Sequence, residues 1–341
     1  MNKIRVGVIG CGSIAKYRHL PEYLGNQLVD IVAVCDIVED RVNEIANDYD
    51  AQAYTRYEEL LAQSDIDAVS VCTPNYLHAP ISIAALNAGK HVLCEKPMAI
   101  STEEAEAMNE AAASAGKNLM IGHNQRFVPS HQKARLLIES GEIGKIYSFR
   151  SAFGHGGPEQ WSADGEDSWF FKKEEAFIGA MGDLGVHKTD LLRFILGEEF
   201  KEVGAFVETS AKEKASVDDT AVCVLKTESG VIGTLAASWS YVSREDNSTI
   251  IYGENAILRL EDDPVNSLII QYKNGEIVKY ELGGIQSNDG DGQTTTHVID
   301  EFITSILEKR TPAVSGAEGL KSLQVVLAAL ESSNTKQFTA I

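Results

Sequence analysis

The sequence predicts an α/β fold in two differently built parts: a doubly wound parallel sheet over residues 1–126, and an α+β domain with a mostly antiparallel sheet over residues 127–341. Three observations predict it. Up to about residue 122, short apolar runs alternate with helical segments of roughly ten to fifteen residues, the grammar of βαβ units. From Phe200 to Leu282 apolar and polar residues alternate, and the stretches Glu-Ser-Gly-Val and Lys-Asn-Gly-Glu supply hairpin turn signals. The length, 341 residues, suits about two domains.

The elements follow in order. Residues 3–10 (KIRVGVIG) read as a buried strand. Their charged start resembles a secretion signal, but the apolar run is too short and glycines follow at once. A helix is expected from Lys16 to Leu24, a strand over 28–36, a helix over 38–49 and a strand over 68–74. Residues 77–89 are helical, 90–96 a strand, and 101–116 a helix opened by a Ser-x-x-Glu capping box at Ser101 and Glu104. A strand over 117–123 ends the parallel part, and right-handed crossovers place helices on both faces. Beyond Arg126 come a helix at 130–141, a strand at 145–154 and an irregular stretch from Gly154 to Phe177. Strands are expected over 203–210, 219–227, 231–241, 248–260, 267–272 and 276–282, then a polar loop over 283–293. Helices over 296–309 and 316–333 complete the chain.

Lys and Arg number 30 against 50 Asp and Glu, a net charge of −20. Such acidity argues against nucleic acid or an anionic membrane as partner. No apolar run approaches the ~20 residues of a membrane span. Cys11, Cys35, Cys72, Cys94 and Cys223 stand singly, without Cys-x-x-Cys spacing. They fit buried, reduced thiols of a cytoplasmic protein, and no metal is expected.

Gly10, Gly12 and Ala15 form Gly-x-Gly-x-x-Ala between a strand and a helix. Gly10 permits the tight turn, Gly12 lets backbone approach a pyrophosphate, and Ala15 lets the helix pack closely on the sheet. The helix N-terminus offers free N–H groups to the anion. Asp36 ends the second strand, where an acid accepts from a ribose 2′-hydroxyl and repels a 2′-phosphate. No basic residue adjoins it in sequence, although Arg41 lies one helical turn on, so NAD is favoured over NADP.

Gly179 to Asp190 (GAMGDLGVHKTD) raises a different question, because glycines weaken helices by roughly 1 kcal/mol each and a helix follows. Asp183 and His187, four apart, share one helical face. The glycines at 179, 182 and 185 are expected to let backbone approach cofactor and substrate. Taken alone, Asp183 reads as a helix cap, His187 as a core histidine and Lys96 as a surface lysine before a proline.

Together, GVIGCGSIA, CTPNYLHAP, CEKPMA and GDLGVH resemble the glucose–fructose oxidoreductase / inositol dehydrogenase / MocA family over nearly the whole chain. The resemblance implies a Rossmann domain and a second domain built on a large open-faced sheet. It implies oxidation or reduction of a hydroxyl or carbonyl on a sugar, inositol or related polyol, with inositols favoured. Lys96, Asp183 and His187 match the positions that surround the nicotinamide in that family. His187 is then the candidate base, suited by an ordinary pKa near 6.5. Lys96 donates to the reacting oxygen and is the alternative to His187 as formal base, and Asp183 holds the imidazole or binds a substrate hydroxyl.

Ser13 and Ile14 in the first turn, Thr73, Pro74, Asn75 and Glu95 at strand ends, and His78 at the start of the next helix, where it reads equally as structural, complete the expected cofactor site. Arg126, beside Asn124, either reaches substrate or ties the domains. His155, Trp161 and Trp169 are candidates to bind a sugar, near Glu159, and His297 is a weaker one. The open sheet face implies a homodimer or homotetramer. Two other activities compete: an NAD-dependent glycoside hydrolase of the same family, and a non-catalytic NAD-binding regulator.

Overall fold

The computed structural model describes residues 3–285 and 296–341. Most of the polar loop expected over 283–293 therefore lies outside the described residues. Six strands form the first sheet: β1 (Ile4–Ile9), β2 (Val29–Cys35), β3 (Gln52–Tyr54), β4 (Ala68–Val71), β5 (His91–Cys94) and β6 (Leu119–Ile121). All pair in parallel, in the order β3-β2-β1-β4-β5-β6. The order reverses between β1 and β4, where sheets of this kind open a crevice at their C-terminal edge.

The helices between these strands are α1 (Leu20–Gly25), α2 (Glu39–Tyr49), α3 (Tyr57–Leu61), α4 (His78–Asn87) and α5 (Thr102–Ala115). A π-helical turn, Ala15–His19, precedes α1, so the first helix has a wider opening than expected. β3 and α3 are too short to show a period in the sequence. The capping box forms with a shifted second half. Ser101 Oγ accepts from the Glu104 N–H, but the Glu104 carboxylate accepts from Ile100 rather than from Ser101.

The second sheet has nine strands: β7 (Ile146–Gly154), β8 (Phe200–Glu208), β9 (Thr220–Thr227), β10 (Ile232–Ser238), β11 (Thr249–Gly253), β12 (Ala256–Leu260), β13 (Leu268–Tyr272), β14 (Ile277–Tyr280) and β15 (Thr339–Ala340). Their order is β14-β13-β12-β11-β7-β10-β9-β8-β15, antiparallel except for β7 beside β10. The single strand expected over 248–260 is a hairpin, β11 against β12, because Glu254 and Asn255 turn the chain. One face of the sheet packs on α6 (Pro129–Glu139), α8 (Val186–Leu196) and α10 (Gly316–Thr335); α7 (Lys173–Ala176) lies in the irregular stretch.

α9 (Val298–Leu307) belongs by sequence to the second domain, yet it packs on the first. Val298, Ile299, Phe302 and Ile303 join the core of β1 to β6, as do Val314 and Leu323. The chain thus crosses back, and its last helices brace both sheets.

Candidate active site

The turn after β1 needs its first glycine. Gly10 has φ +92°, and a Cβ there would sit 2.5 Å from the Cys72 carbonyl oxygen. Gly12 differs: a Cβ would meet nothing within 4 Å, so its backbone faces open space. Ala15 is fully buried where the helix meets the sheet. Asp36 is buried and fixed, accepting from the Cys11 N–H at 2.8 Å and the Val38 N–H at 2.9 Å. A basic residue does adjoin it: Arg41 Nη1 lies 3.6 Å from Asp36 Oδ2.

Beyond β5, Glu95 anchors the chain below Lys96. It is buried against Arg18 and His19 and accepts from the Lys96 N–H at 3.2 Å. This anchor leaves the Lys96 ammonium free to cross the cleft. Its Nζ donates to Asp183 Oδ1 at 2.7 Å and to the Asp183 carbonyl at 3.1 Å.

Asp183 lies in a second π-helical turn, Met181–Gly185, which leads into α8. Asp183 does not cap this helix; Asp218 does. Asp218 accepts from the Gly179 and Met181 N–H groups at 2.7 and 2.8 Å, and its carbonyl accepts from Ala180 at 2.9 Å. Burial pushes the Asp218 carboxyl up from its ordinary pKa. The three glycines serve this junction, not the cleft. Added Cβ atoms would meet the Asp218 carbonyl at 1.8 Å (Gly179), Ile178 at 1.7 Å (Gly182) and Met181 at 2.5 Å (Gly185). The close approach they permit is of the chain to itself.

Trp239, fully buried on the far side, donates from Nε1 to Asp183 Oδ2 at 3.1 Å. Each carboxylate oxygen of Asp183 thus has a separate donor. His187 lines the same cleft, and its Nδ1 is buried without a partner. Burial, then the nearby Lys96 cation, holds the imidazole well below its usual pKa. The value near 6.5 expected from sequence does not apply in the folded chain, and His187 is uncharged at neutral pH.

These groups line one cleft of about 1130 Å³ between the two domains. Gly10, Gly12, Ser13, Ile14, Asp36, Thr73, Pro74, Asn75, His78, Glu95 and Lys96 line it from the first domain. His155, Trp161, Trp169, Asp183 and His187 line it from the second. Several are already engaged. Asn75 Nδ2 donates to the Ala176 carbonyl at 2.9 Å, and both ring nitrogens of His78 meet carbonyls, of Pro97 and Thr73. Trp169 stacks on Phe170 at 3.9 Å between centroids, which covers one of its faces. Trp161 Nε1 and His155 Nε2 are buried with no partner.

Arg126 does not reach the cleft. It forms two 2.7 Å bonds to Asp190 on α8 and one of 2.8 Å to Glu318 on α10, tying the domains. Buried carboxylates draw a guanidinium more strongly than an open cleft does. His297 is exposed beside Asp300 and lines no part of the cleft. Sequence reasoning missed Trp239, Asp218 and Arg18, whose partners lie far along the chain. Among the described residues, no three His, Cys, Asp or Glu side chains gather as a metal site would.

The donor set fits a dinucleotide. Gly12 leaves an open cradle at the turn, the Asp36 carboxylate stands at the end of β2, and the Thr73 hydroxyl is buried without a partner. Residues 4–123 match the model of an oxidoreductase family with an NAD-binding Rossmann fold, and residues 131–259 match the GFO/IDH/MocA C-terminal domain. A levoglucosan dehydrogenase of Pseudarthrobacter phenanthrenivorans is 31% identical over 70% of this chain and 68% of its own. A myo-inositol 2-dehydrogenase of Thermotoga maritima is 28% identical over 98% of this chain and 97% of its own. The structure of a levoglucosan dehydrogenase in complex with NADH and levoglucosan superposes with a TM-score of 0.88 at 26% identity, covering 100% of both chains.

Proposed function

The chain belongs to the Gfo/Idh/MocA family of NAD-binding oxidoreductases, and on that footing we propose that it moves a hydride between a secondary alcohol of a cyclic polyol or sugar and a nicotinamide, with NAD preferred to NADP. The observation that carries this reading is the 2.7 Å Lys96–Asp183 pair, facing the same cleft as His187 and the Gly10–Gly12 turn.

The backbone from Gly10 to Ile14 holds the pyrophosphate, and Asp36 receives the adenosine ribose. When bound, the nicotinamide supplies the hydride chemistry. Lys96 donates to the reacting oxygen and stabilises the charge that grows there as the hydroxyl proton leaves. Asp183, gripped by Trp239, keeps that ammonium aimed. His187 takes the proton on a neutral ring nitrogen. An imidazole this reluctant to charge needs an acidified alcohol, and the Lys96 cation acidifies it. His155 and Trp161 offer polar edges to a substrate's other hydroxyls. Inositols and anhydro-sugars are the favoured substrates, supported by the names of the relatives. A second copy of the chain covers the open sheet face. The five buried free thiols suit the cytoplasm.

Nicotinamide absorbance tests the reading, with purified protein, NAD or NADP, and a panel of inositols, aldoses and levoglucosan. Reduction of NAD with one polyol is expected. Lys96→Met should lower kcat by about 10²–10⁴-fold. Silence across the panel and with the matching ketones, or a Lys96→Met variant within a few-fold of wild type, defeats it.

A further inference from the structure

We propose that Asp164, an acid of the second domain, sets the cofactor preference of the first by holding Arg41 away from a 2′-phosphate. The proposal rests on the reading that the cleft takes a nicotinamide dinucleotide.

At the end of β2 an acid selects a free ribose, whereas a nearby arginine accommodates a 2′-phosphate. This chain carries both, Asp36 and Arg41. Asp36 cannot turn away, because two backbone N–H groups hold its two oxygens. Arg41 therefore decides how hostile the position is. Its guanidinium stands between two carboxylates, with Nη1 3.6 Å from Asp36 Oδ2 and Nη2 donating to Asp164 Oδ1 at 2.9 Å. All three side chains line the cleft. One cation shared by two carboxylates leaves local charge of −1. A phosphate would add about −1.5 to −2 and would meet a guanidinium drawn towards Asp164, to which it already donates, and towards Asp36.

The clasp has little work to do in folding. Arg41 and Asp164 side chains are 27% and 45% exposed, and pairs so exposed add little to stability. The segment carrying Asp164 has another tether, since Ser13 Oγ donates to the Trp161 carbonyl at 2.8 Å. Removing the Asp164 carboxylate thus frees Arg41 without unseating the segment.

Calorimetric titration with NADH and with NADPH tests this on wild type, Asp164→Ala, Asp164→Asn, and Asp164→Ala combined with Arg41→Ala. The ratio of the two dissociation constants is the readout, so any general loss of affinity cancels. Losing Asp164 should shift the ratio towards NADPH by about tenfold, the worth of one charge-assisted hydrogen bond from Arg41 to the phosphate. Adding Arg41→Ala should abolish that shift. An unchanged ratio in both Asp164 variants overturns the proposal while leaving the dinucleotide reading intact. A shift that survives Arg41→Ala also overturns it, because repulsion by Asp164 alone would then explain the preference. If wild type binds neither nucleotide, the dinucleotide reading fails and the proposal with it.

Discussion

Lys188, next to His187 in α8, is fully buried and meets only neutral partners directly. Its Nζ donates to the Asn247 carbonyl at 2.8 Å and lies 5.8 Å from the Phe153 ring. Desolvation pushes the amine down to about 7, against the opposing pull of Glu261, Asp246 and Glu245; His131 lies nearby and stays uncharged. The unfolded chain binds this proton with an ordinary lysine pKa of about 10.4. Between about pH 10 and 7 the unfolded state therefore holds a proton that the folded state lacks. Lowering the pH through that window costs the fold about 1.4 kcal/mol per unit, and below about 7 the cost stays constant. Lys188→Met removes this dependence. Urea unfolding at pH 7.5 and 9 should show wild type gaining on the variant as pH rises; a constant difference would sink the assignment. Lys188 was silent in the sequence, since a lysine in a helix reads as exposed. Lys96, Asp183 and His187 were legible because short motifs surround them. Trp239 and Asp164 were not, because each acts on a partner distant in sequence, 56 residues from Asp183 and 123 from Arg41.

The start of α8 shows how an element can be legible in place and misread in purpose. Its glycines mark a site where chain meets chain, and the sequence does not say whether the neighbour is a ligand or another loop. For Gly179 the neighbour is Asp218, whose carboxylate and carbonyl cap the first turn. Gly179→Ala would drive a Cβ to 1.8 Å from that carbonyl, so cap and helix must part. A loss of about 1–3 kcal/mol is expected, typical of overpacking, with a fall in kcat as Asp183 shifts from Lys96. Gly12→Ala gives the contrast. Its Cβ meets nothing within 4 Å, so melting of the free protein should hold while NAD binding weakens. Thermal melts without cofactor and calorimetry with it separate the two. Equal melting losses would mean that both glycines serve the fold alone.

Across the whole molecule, the parallel sheet was the easier part to read, because β1, β2, β4, β5 and β6 are apolar runs set between helices. Apart from β15 and the turn between β11 and β12, the second sheet was legible as strands but not as an order, since β7 lies between β10 and β11, far from both in sequence. That order gives the molecule an unequal pair of faces. Helices α6, α8 and α10 cover one. On the other, cross-strand register sets Phe206 beside Val222 and Gly204 beside Val224, and Ile232 follows on β10. Phe206 is 71% exposed, Ile232 51% and Val222 49%. If, as proposed, a second copy covers this face, these apolar side chains meet a like surface across it. A two-fold pairing lets the same residues meet their own copies, so one charge introduced on the chain enters the interface twice. Phe206→Glu should therefore weaken assembly more than a single surface change normally would, while the helix-covered core keeps the protomer folded. Light scattering is expected to give a dimer or tetramer for wild type and a smaller species for the variant, with the same far-ultraviolet dichroism. A wild-type monomer at micromolar concentration would refute this, as would an assembly that Phe206→Glu leaves intact.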